Sequence, residues 1–335
     1  MIINDSLQRP LRDLRISVTD KCNFRCTYCM PKETYNKDYK FLAKNEILDF
    51  EEIYRIAKIF HGLGIEKIRI TGGEPLLRND LSKLLGLLNQ IPNLDLAMTT
   101  NGILLNKYAI DLKNAGLSRV TVSLDGIDDS IFRAVSDTNY SYRDVLSGID
   151  AAINANMKVK VNMVIKKNIN EDHVFKMIDH FKHSGIVLRF IEFMDVGSTN
   201  HWSKDAVVPS LDLQRKIHSK YPLKSIIKNY NGEVANRFEL LDNSLELGFI
   251  SSVTQPFCSE CTRIRLSSDG KLFTCLFSLS GFDIKNQLRS GIDDNELTEL
   301  ISNIWQKRDD RYSEIRNQIG FQKKKNKVEM PYIGG

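Results

Sequence analysis

No stretch of this sequence stays apolar over the length of a membrane span, and its first residues lack the basic-then-apolar order of a secretory leader. A cytoplasmic protein with no membrane partner is the default expectation. Charge is nearly balanced: 47 lysines and arginines against 42 acids leave +5, too little to indicate nucleic acid. No aromatic residues are interleaved with basic ones to suggest it either. Lys323, Lys324 and Lys325 with Lys327 are the one dense basic run, and a solvated tail is its plain meaning. The absence of G-x4-G-K-[ST] excludes a P-loop nucleotide hydrolase. The absence of G-x-S-x-G and H-E-x-x-H removes the α/β-hydrolase and zincin readings. Cysteines are few but not scattered: all six fall into two sets of three, with none left over. Cytosolic thiols stay reduced and the sets are not paired by spacing, so metal chemistry explains them better than disulfides.

The first set, Cys22, Cys26 and Cys29, has the spacing C-x3-C-x2-C on one short loop. Three thiolates can hold three irons of a [4Fe–4S] cube, which usually takes four cysteines. The unfilled corner would be open to a substrate or cofactor, as in catalytic metal sites generally. Structural zinc instead wants a closed tetrahedral set. The second set, Cys258, Cys261 and Cys275, reads C-x2-C-x13-C. Here zinc is a serious rival, because C-x2-C is a knuckle and His218 or another group could complete it. Arg263 and Arg265, just after Cys261, would share a face if 263–266 is a strand, and their planar forks suit phosphate oxygens. His180 and His183, three apart on an expected helix, read as solvent-facing.

From residue 14 to about 194 short β-rich runs alternate with helical patterns. Strands are expected at 15–18, 67–70, 95–99, 119–124, 158–164 and 188–193. The clearest helix starts at Asp49, an N-cap with Glu52 three residues on; Phe50, Ile53, Ile56, Ala57, Phe60 and Leu63 repeat at helical spacing, and Gly62 and Gly64 close it. Others are expected over 81–91, 107–115, 142–155 and 171–181. Six strand–helix units argue a parallel α/β sheet, a partial (β/α)6 TIM-like barrel rather than a complete eight-fold one. An open doubly wound sheet competes, but no G-x-G-x-x-G follows the first strand. Residues 1–197 form this barrel. Residues 198–335 form a C-terminal extension that carries the second cysteine set and closes the barrel's open side. Within the extension a helix is expected near 211–221, strands at 238–241 and 245–250, and a long helical stretch at 294–318.

Side chains alternate along a strand, so Leu14, Ile16 and Val18 should meet helices while Arg15, Ser17 and Thr19 face the concave side. The same reasoning turns Arg69, Ser123 and Lys160 inward. A closed barrel fills its centre with branched apolar residues. This one would present cations there, and buried cations need partners; a hydrated cavity for a polyphosphate is the expectation. The run Thr71-Gly-Gly-Glu-Pro75 follows the second strand, where barrel ligands bind; its glycines would let backbone approach a ligand, and Glu74 could take a cofactor's ammonium.

The first cysteine loop together with Gly72-Gly-Glu-Pro75 resembles the radical S-adenosylmethionine superfamily. The second set with Cys261-Thr-Arg-Ile-Arg265, the segments Thr99-Thr-Asn-Gly102 and Ser123-Leu-Asp-Gly126, and the tail Gly334-Gly335 resemble its GTP 3′,8-cyclase family over essentially the whole chain. The resemblance implies two [4Fe–4S] clusters, on Cys22, Cys26 and Cys29 and on Cys258, Cys261 and Cys275. It implies that the first chelates S-adenosylmethionine, whose reductive cleavage yields a 5′-deoxyadenosyl radical. That radical takes hydrogen from the ribose C3′ of GTP, and the carbon closes onto C8, the first step of molybdenum cofactor biosynthesis. Tyr28, Gly73, Ser123 and Met194 would contact S-adenosylmethionine. Arg15, Arg69, Thr100, Lys160, Arg263 and Arg265 would contact GTP, with Ile264 contributing backbone only. The family sends the Gly334-Gly335 tail into the active site. An electron donor, the next enzyme of molybdopterin synthesis as product acceptor, and a homodimer are the implied partners.

Two rivals remain: a peptide-modifying enzyme of the same superfamily, for which this chain has few extra cysteines, and a zinc-ribbon nucleic-acid module on a barrel. Anaerobic reconstitution separates them. Two cubes predict about eight irons per chain, whereas about four irons with one zinc would restore the ribbon.

Overall fold

A computed structural model describes residues 2–319 and 327–335; Lys323, Lys324 and Lys325 lie outside the described residues. Six strands come first: β1 Asp13–Ser17, β2 Lys67–Thr71, β3 Asp95–Thr100, β4 Arg119–Ser123, β5 Lys158–Ile165 and β6 Val187–Glu192. They agree with the expected runs to within two residues at each end. Between them lie α1 Phe50–Gly62, α2 Leu81–Leu88, α3 Leu105–Asn114, α4 Asp129–Ser136, α5 Tyr142–Asn154 and α6 Val174–Phe181. The capping box that starts α1 is complete: Asp49 accepts the Glu52 N–H at 2.7 Å, and Glu52 accepts the Asp49 N–H at 2.8 Å.

Beyond β6 come α7 Ser210–Lys220, β7 Leu223–Ile226, β8 Asn236–Leu240, β9 Glu246–Ile250, β10 Arg263–Leu266, β11 Lys271–Phe273 and β12 Phe282–Asp283. Four helices follow, α8 Lys285–Arg289, α9 Asp294–Gln306, α10 Tyr312–Ile319 and α11 Met330–Ile333. The helical stretch expected over 294–318 is therefore two helices, and the break at 307–311 carries the buried Arg308. The periodic reading also misses α4 and β7. The first is an extra helix between β4 and α5, and the second lies at the outer edge of the sheet, so neither belongs to the strand–helix alternation.

All twelve strands form one sheet in the order β12-β11-β10-β1-β2-β3-β4-β5-β6-β9-β8-β7. The run from β10 through β1–β6 to β9 is parallel throughout. β1 to β6 keep sequence order with no switch point, which separates the fold from a doubly wound sheet. The C-terminal region does not form a layer of its own. It adds β10 beside β1 and β9 beside β6, each backed by antiparallel strands, and among the described residues no ladder joins the two outer edges. It thus lengthens both edges of the barrel sheet rather than zipping them together.

The predicted outer face is the core: Leu14, Ile16, Ile68, Ile70, Val120, Val122, Val161 and Met163 are buried in one cluster with the helices. α3 and α5 pack closely because Gly148 on α5 has no side chain; a Cβ there would lie 2.1 Å from the Gly102 carbonyl oxygen. Among the described residues no helix is long and apolar enough to cross a membrane. Gly148→Ala should force backbone apart and cost about 2 kcal/mol. A urea melt should show the midpoint fall with an unchanged m-value.

Candidate active site

The loops after β1–β6 and the C-terminal region surround one cavity, and all six cysteines line it. The first cysteine loop leaves β1 and is held by the end of α4. Arg25 N–H donates to the Ser136 carbonyl at 3.1 Å and Thr27 N–H to the Val135 carbonyl at 2.9 Å, while Phe24 meets Phe132 edge-on with ring centres 5.9 Å apart. The Arg25 guanidinium gathers the carbonyls of Cys22, Phe24 and Tyr35, each at 2.8 Å. Burial raises all three thiols, Cys22 to about 12 with Glu74 adding to it. At Cys26 and Cys29 the neighbouring sulfurs of the set add further. Sulfurs that close together, facing a cavity, are disfavoured as bare thiolates and are suited to bound iron. Among the described residues no three His, Cys, Asp or Glu side chains converge to hold a single metal ion. A cube, which gives each cysteine its own iron, does not need that convergence.

The glycines after β2 line the cavity, where backbone can approach a ligand, and they have a packing task as well. A Cβ on Gly72 would lie 2.5 Å from the Thr19 carbonyl oxygen, and one on Gly73 would lie 2.3 Å from that of Lys21. They let the turn rest on the backbone that leads into Cys22, with Gly73 N–H donating to Thr19 and Glu74 N–H to Lys21, both at 2.8 Å. Glu74 is buried, which lifts its carboxyl to about 7. It accepts the Thr100 hydroxyl at 2.7 Å and the N–H groups of Asn101 at 2.7 Å and Leu76 at 3.1 Å. A carboxylate offers about four lone-pair sites, so one is left for a ligand. Asp125, raised to about 6 by burial, accepts the Tyr28 hydroxyl at 2.9 Å and the Val164 N–H at 2.8 Å.

The floor of the cavity is cationic. Parallel register sets Arg265, Arg15 and Arg69 side by side across β10, β1 and β2, and Arg189 and Arg263 line the same space. Among the described residues none of these five forms a salt bridge. Arg69 donates to the hydroxyls of Thr99 and Thr121, both at 3.2 Å, and Arg189 to the Asn162 amide oxygen at 2.8 Å. Gly248 leaves room for Arg189, whose Cγ would lie 2.9 Å from an added Cβ. Burial, with the neighbouring arginines, pushes Arg15 down to about 9 and Arg69 to about 10, while Arg265 falls well below its ordinary value. Guanidinium does not lose its proton in proteins, so the push is a measure of cations awaiting an anion.

Above that floor stand Cys258, Cys261 and Cys275. Burial raises Cys275 to about 12; at Cys261 it is outweighed by Arg263 and Arg308, and the thiol falls to about 6. Arg263 donates to the Cys261 sulfur at 3.3 Å. His218 does not join them. It accepts the Leu223 N–H at 3.1 Å at the end of α7, and His180 and His183 are exposed as expected. The C-terminal tail enters the same cavity: Arg265 donates to the Gly334 carbonyl, Gly335 lines the wall, and a Cβ on Gly334 would meet the Thr71 hydroxyl at 1.9 Å. The approach is pinned by Glu329, which accepts Ser198 N–H at 2.8 Å and the Thr199 hydroxyl at 3.0 Å.

Of the residues singled out by sequence, the cavity is lined by Tyr28, Gly73, Ser123, Met194, Arg15, Arg69, Thr100, Arg263 and Arg265. Lys160 and Ile264 are not part of that wall. Ile264 is fully buried in the core, because alternation along β10 turns it away from its two arginine neighbours. Lys160 lies deeper on the concave face, where burial and Arg189 lower its ammonium to about 8. Arg189, Asn162 and Arg308 line the cavity without having been singled out. For the first two the signal was present, since β6 and β5 alternate as clearly as β1.

Residues 16–181 match the Radical SAM superfamily, and residues 186–314 match Molybdenum Cofactor Synthesis C. The chain is 50% identical over 336 aligned positions to the GTP 3′,8-cyclase of Staphylococcus haemolyticus and 49% identical to that of Staphylococcus aureus, in each case over 99% of both chains. Among solved structures it resembles Streptococcus suis SuiB bound to S-adenosylmethionine, with a TM-score of 0.62 at 15% identity over 87% of this chain and 67% of that one. That last likeness speaks for the fold. With both halves of the chain matched and the length of its curated relatives covered, the protein belongs to the GTP 3′,8-cyclase family of the radical S-adenosylmethionine superfamily.

Proposed function

We propose that this protein converts GTP to (8S)-3′,8-cyclo-7,8-dihydroguanosine 5′-triphosphate, the first step of molybdenum cofactor biosynthesis, by radical S-adenosylmethionine chemistry. The observation that carries the reading is the meeting in one cavity of two three-cysteine sets and five arginines that form no salt bridge among the described residues. Bound at Cys22, Cys26 and Cys29, a [4Fe–4S] cluster supplies the electron that cleaves S-adenosylmethionine to the 5′-deoxyadenosyl radical. The protein's own residues do the positioning. Glu74 offers its remaining lone pair to the ammonium of S-adenosylmethionine, and Tyr28, Gly73, Ser123 and Met194 flank that cofactor. Thr100, whose hydroxyl donates to Glu74 and accepts the Gly102 N–H, keeps one lone pair for GTP.

Arg15, Arg69, Arg263 and Arg265, with Lys160 deeper in the floor, meet the triphosphate, which relieves their mutual repulsion. In this reading Cys258, Cys261 and Cys275 would hold a second [4Fe–4S] cluster, which would supply a binding point for the guanine. The lack of a convergent single-ion site among the described residues and the engagement of His218 elsewhere support iron over zinc there. The same reading includes an external electron donor, transfer of product to the next enzyme of the pathway, a homodimer and a cytoplasmic location.

Replacing two charged ligands of a buried phosphate should weaken GTP binding by at least ~2 kcal/mol, roughly thirty-fold. In the double variant Arg263→Ala with Arg265→Ala, calorimetry should show that loss with S-adenosylmethionine affinity unchanged; normal GTP affinity would reject the assignment. Removing Gly334 and Gly335 should abolish cyclisation while S-adenosylmethionine cleavage persists. Turnover equal to that of the full chain would make the tail a bystander.

A further inference from the structure

The three cysteines of the C-terminal set come from separate pieces of chain: Cys258 and Cys261 from the turn before β10, Cys275 from beyond β11. One guanidinium joins the pieces. Arg308 donates from Nη1 to the Cys261 carbonyl at 2.8 Å and from Nε to the Thr274 carbonyl, in the peptide leading to Cys275, at 3.1 Å. Arg9 completes the set, donating from Nη1 to the Cys258 carbonyl and to the Asp310 carbonyl, both at 2.8 Å. Both arginines share the Asp5 carboxylate, Arg9 at 2.6 Å and Arg308 at 3.0 Å. Asp5, Arg9 and Arg308 are 3%, 2% and 4% exposed. The Arg308 guanidinium also lies 4.6 Å from the centre of the Trp305 ring, whose N–H donates to the Arg9 carbonyl.

Buried charge networks are seldom the most stabilising way to fill a core. Here every ligand cysteine has a carbonyl in its own or its preceding peptide clamped by this one. The first cysteine loop has a local counterpart, the Arg25 guanidinium on the carbonyls of Cys22, Phe24 and Tyr35, beside its backbone contacts to α4, but no side chain there bridges separate pieces of chain that each carry a cysteine. We propose that Asp5, Arg9 and Arg308 are positioning residues that set the spacing of Cys258, Cys261 and Cys275, and thereby the direction in which the open corner of the second cluster faces. The inference rests on the reading that these cysteines hold a cluster.

Anaerobic reconstitution of the full chain tests both, with iron analysis and electron paramagnetic resonance of the reduced protein. The unaltered protein should bind about eight irons; about four would overturn the cluster reading and the clamp with it. Arg308→Gln should fall to about four irons, losing the C-terminal cluster's signal while the first cluster's signal and S-adenosylmethionine cleavage persist. Arg308→Lys keeps the charge but cannot fork between two carbonyls, and should lose the same share. A full iron complement with an unchanged spectrum in either variant would overturn the proposal. So would loss of both clusters together, which would show a role in folding alone.

Discussion

Like charges aligned across three neighbouring strands set the terms for the rest of the molecule. Arg265, Arg15 and Arg69 occupy one level of the parallel register, where their guanidinium groups repel one another in a poorly solvated space. A barrel with such an interior cannot be packed shut with branched side chains. The sheet is free to be well packed only on its outer face, where Leu14, Ile16, Ile68 and Ile70 meet the helices. The inner face stays polar and is lined by hydroxyl and amide partners such as Thr99, Thr121 and Asn162, which orient the cations without neutralising them. A cavity built this way favours a polyanion before any other feature is considered.

The two cysteine sets meet that cavity from opposite kinds of support. The first belongs to the barrel's own logic: it follows β1, rests on the glycine turn after β2, is gathered by its own Arg25 and is tied by backbone hydrogen bonds to α4 of the same barrel. The second is assembled from the N-terminal arm, the turn before β10, the hairpin after it and the end of α9. Long separations must be closed before any of those contacts form, and buried arginines provide fixed, forked donors to close them.

Because β10 and β9 flank the barrel strands, the C-terminal region is hydrogen-bonded to both ends of the superfamily domain. The cations of β10 therefore fall in register with those of β1 although some 250 residues separate Arg15 from Arg265. The tail completes the enclosure, its Gly334 carbonyl taking one of the arginines that would otherwise face open space.

Much of this could be read in one dimension. The six strand–helix units, the cap at Asp49, the two cysteine sets and the inward turn of Arg15 and Arg69 all follow from local periodicity and spacing, which depend only on neighbours in the chain. The second helix of the β4–α5 crossover, α4, and the strand β7 at the sheet's outer edge fall outside the strand–helix alternation and were not legible. The glycines of the Gly-Gly-Glu-Pro turn were visible, but their contact with Thr19 and Lys21 was not, since a close approach depends on what lies opposite. Which strands would pair beyond β6, and that Asp5, Arg9 and Arg308 would gather behind the second cysteine set, was decided by tertiary structure alone. These are contacts between segments hundreds of residues apart, and no local pattern encodes them; they exist only once the sheet has brought its two ends to the cavity they share.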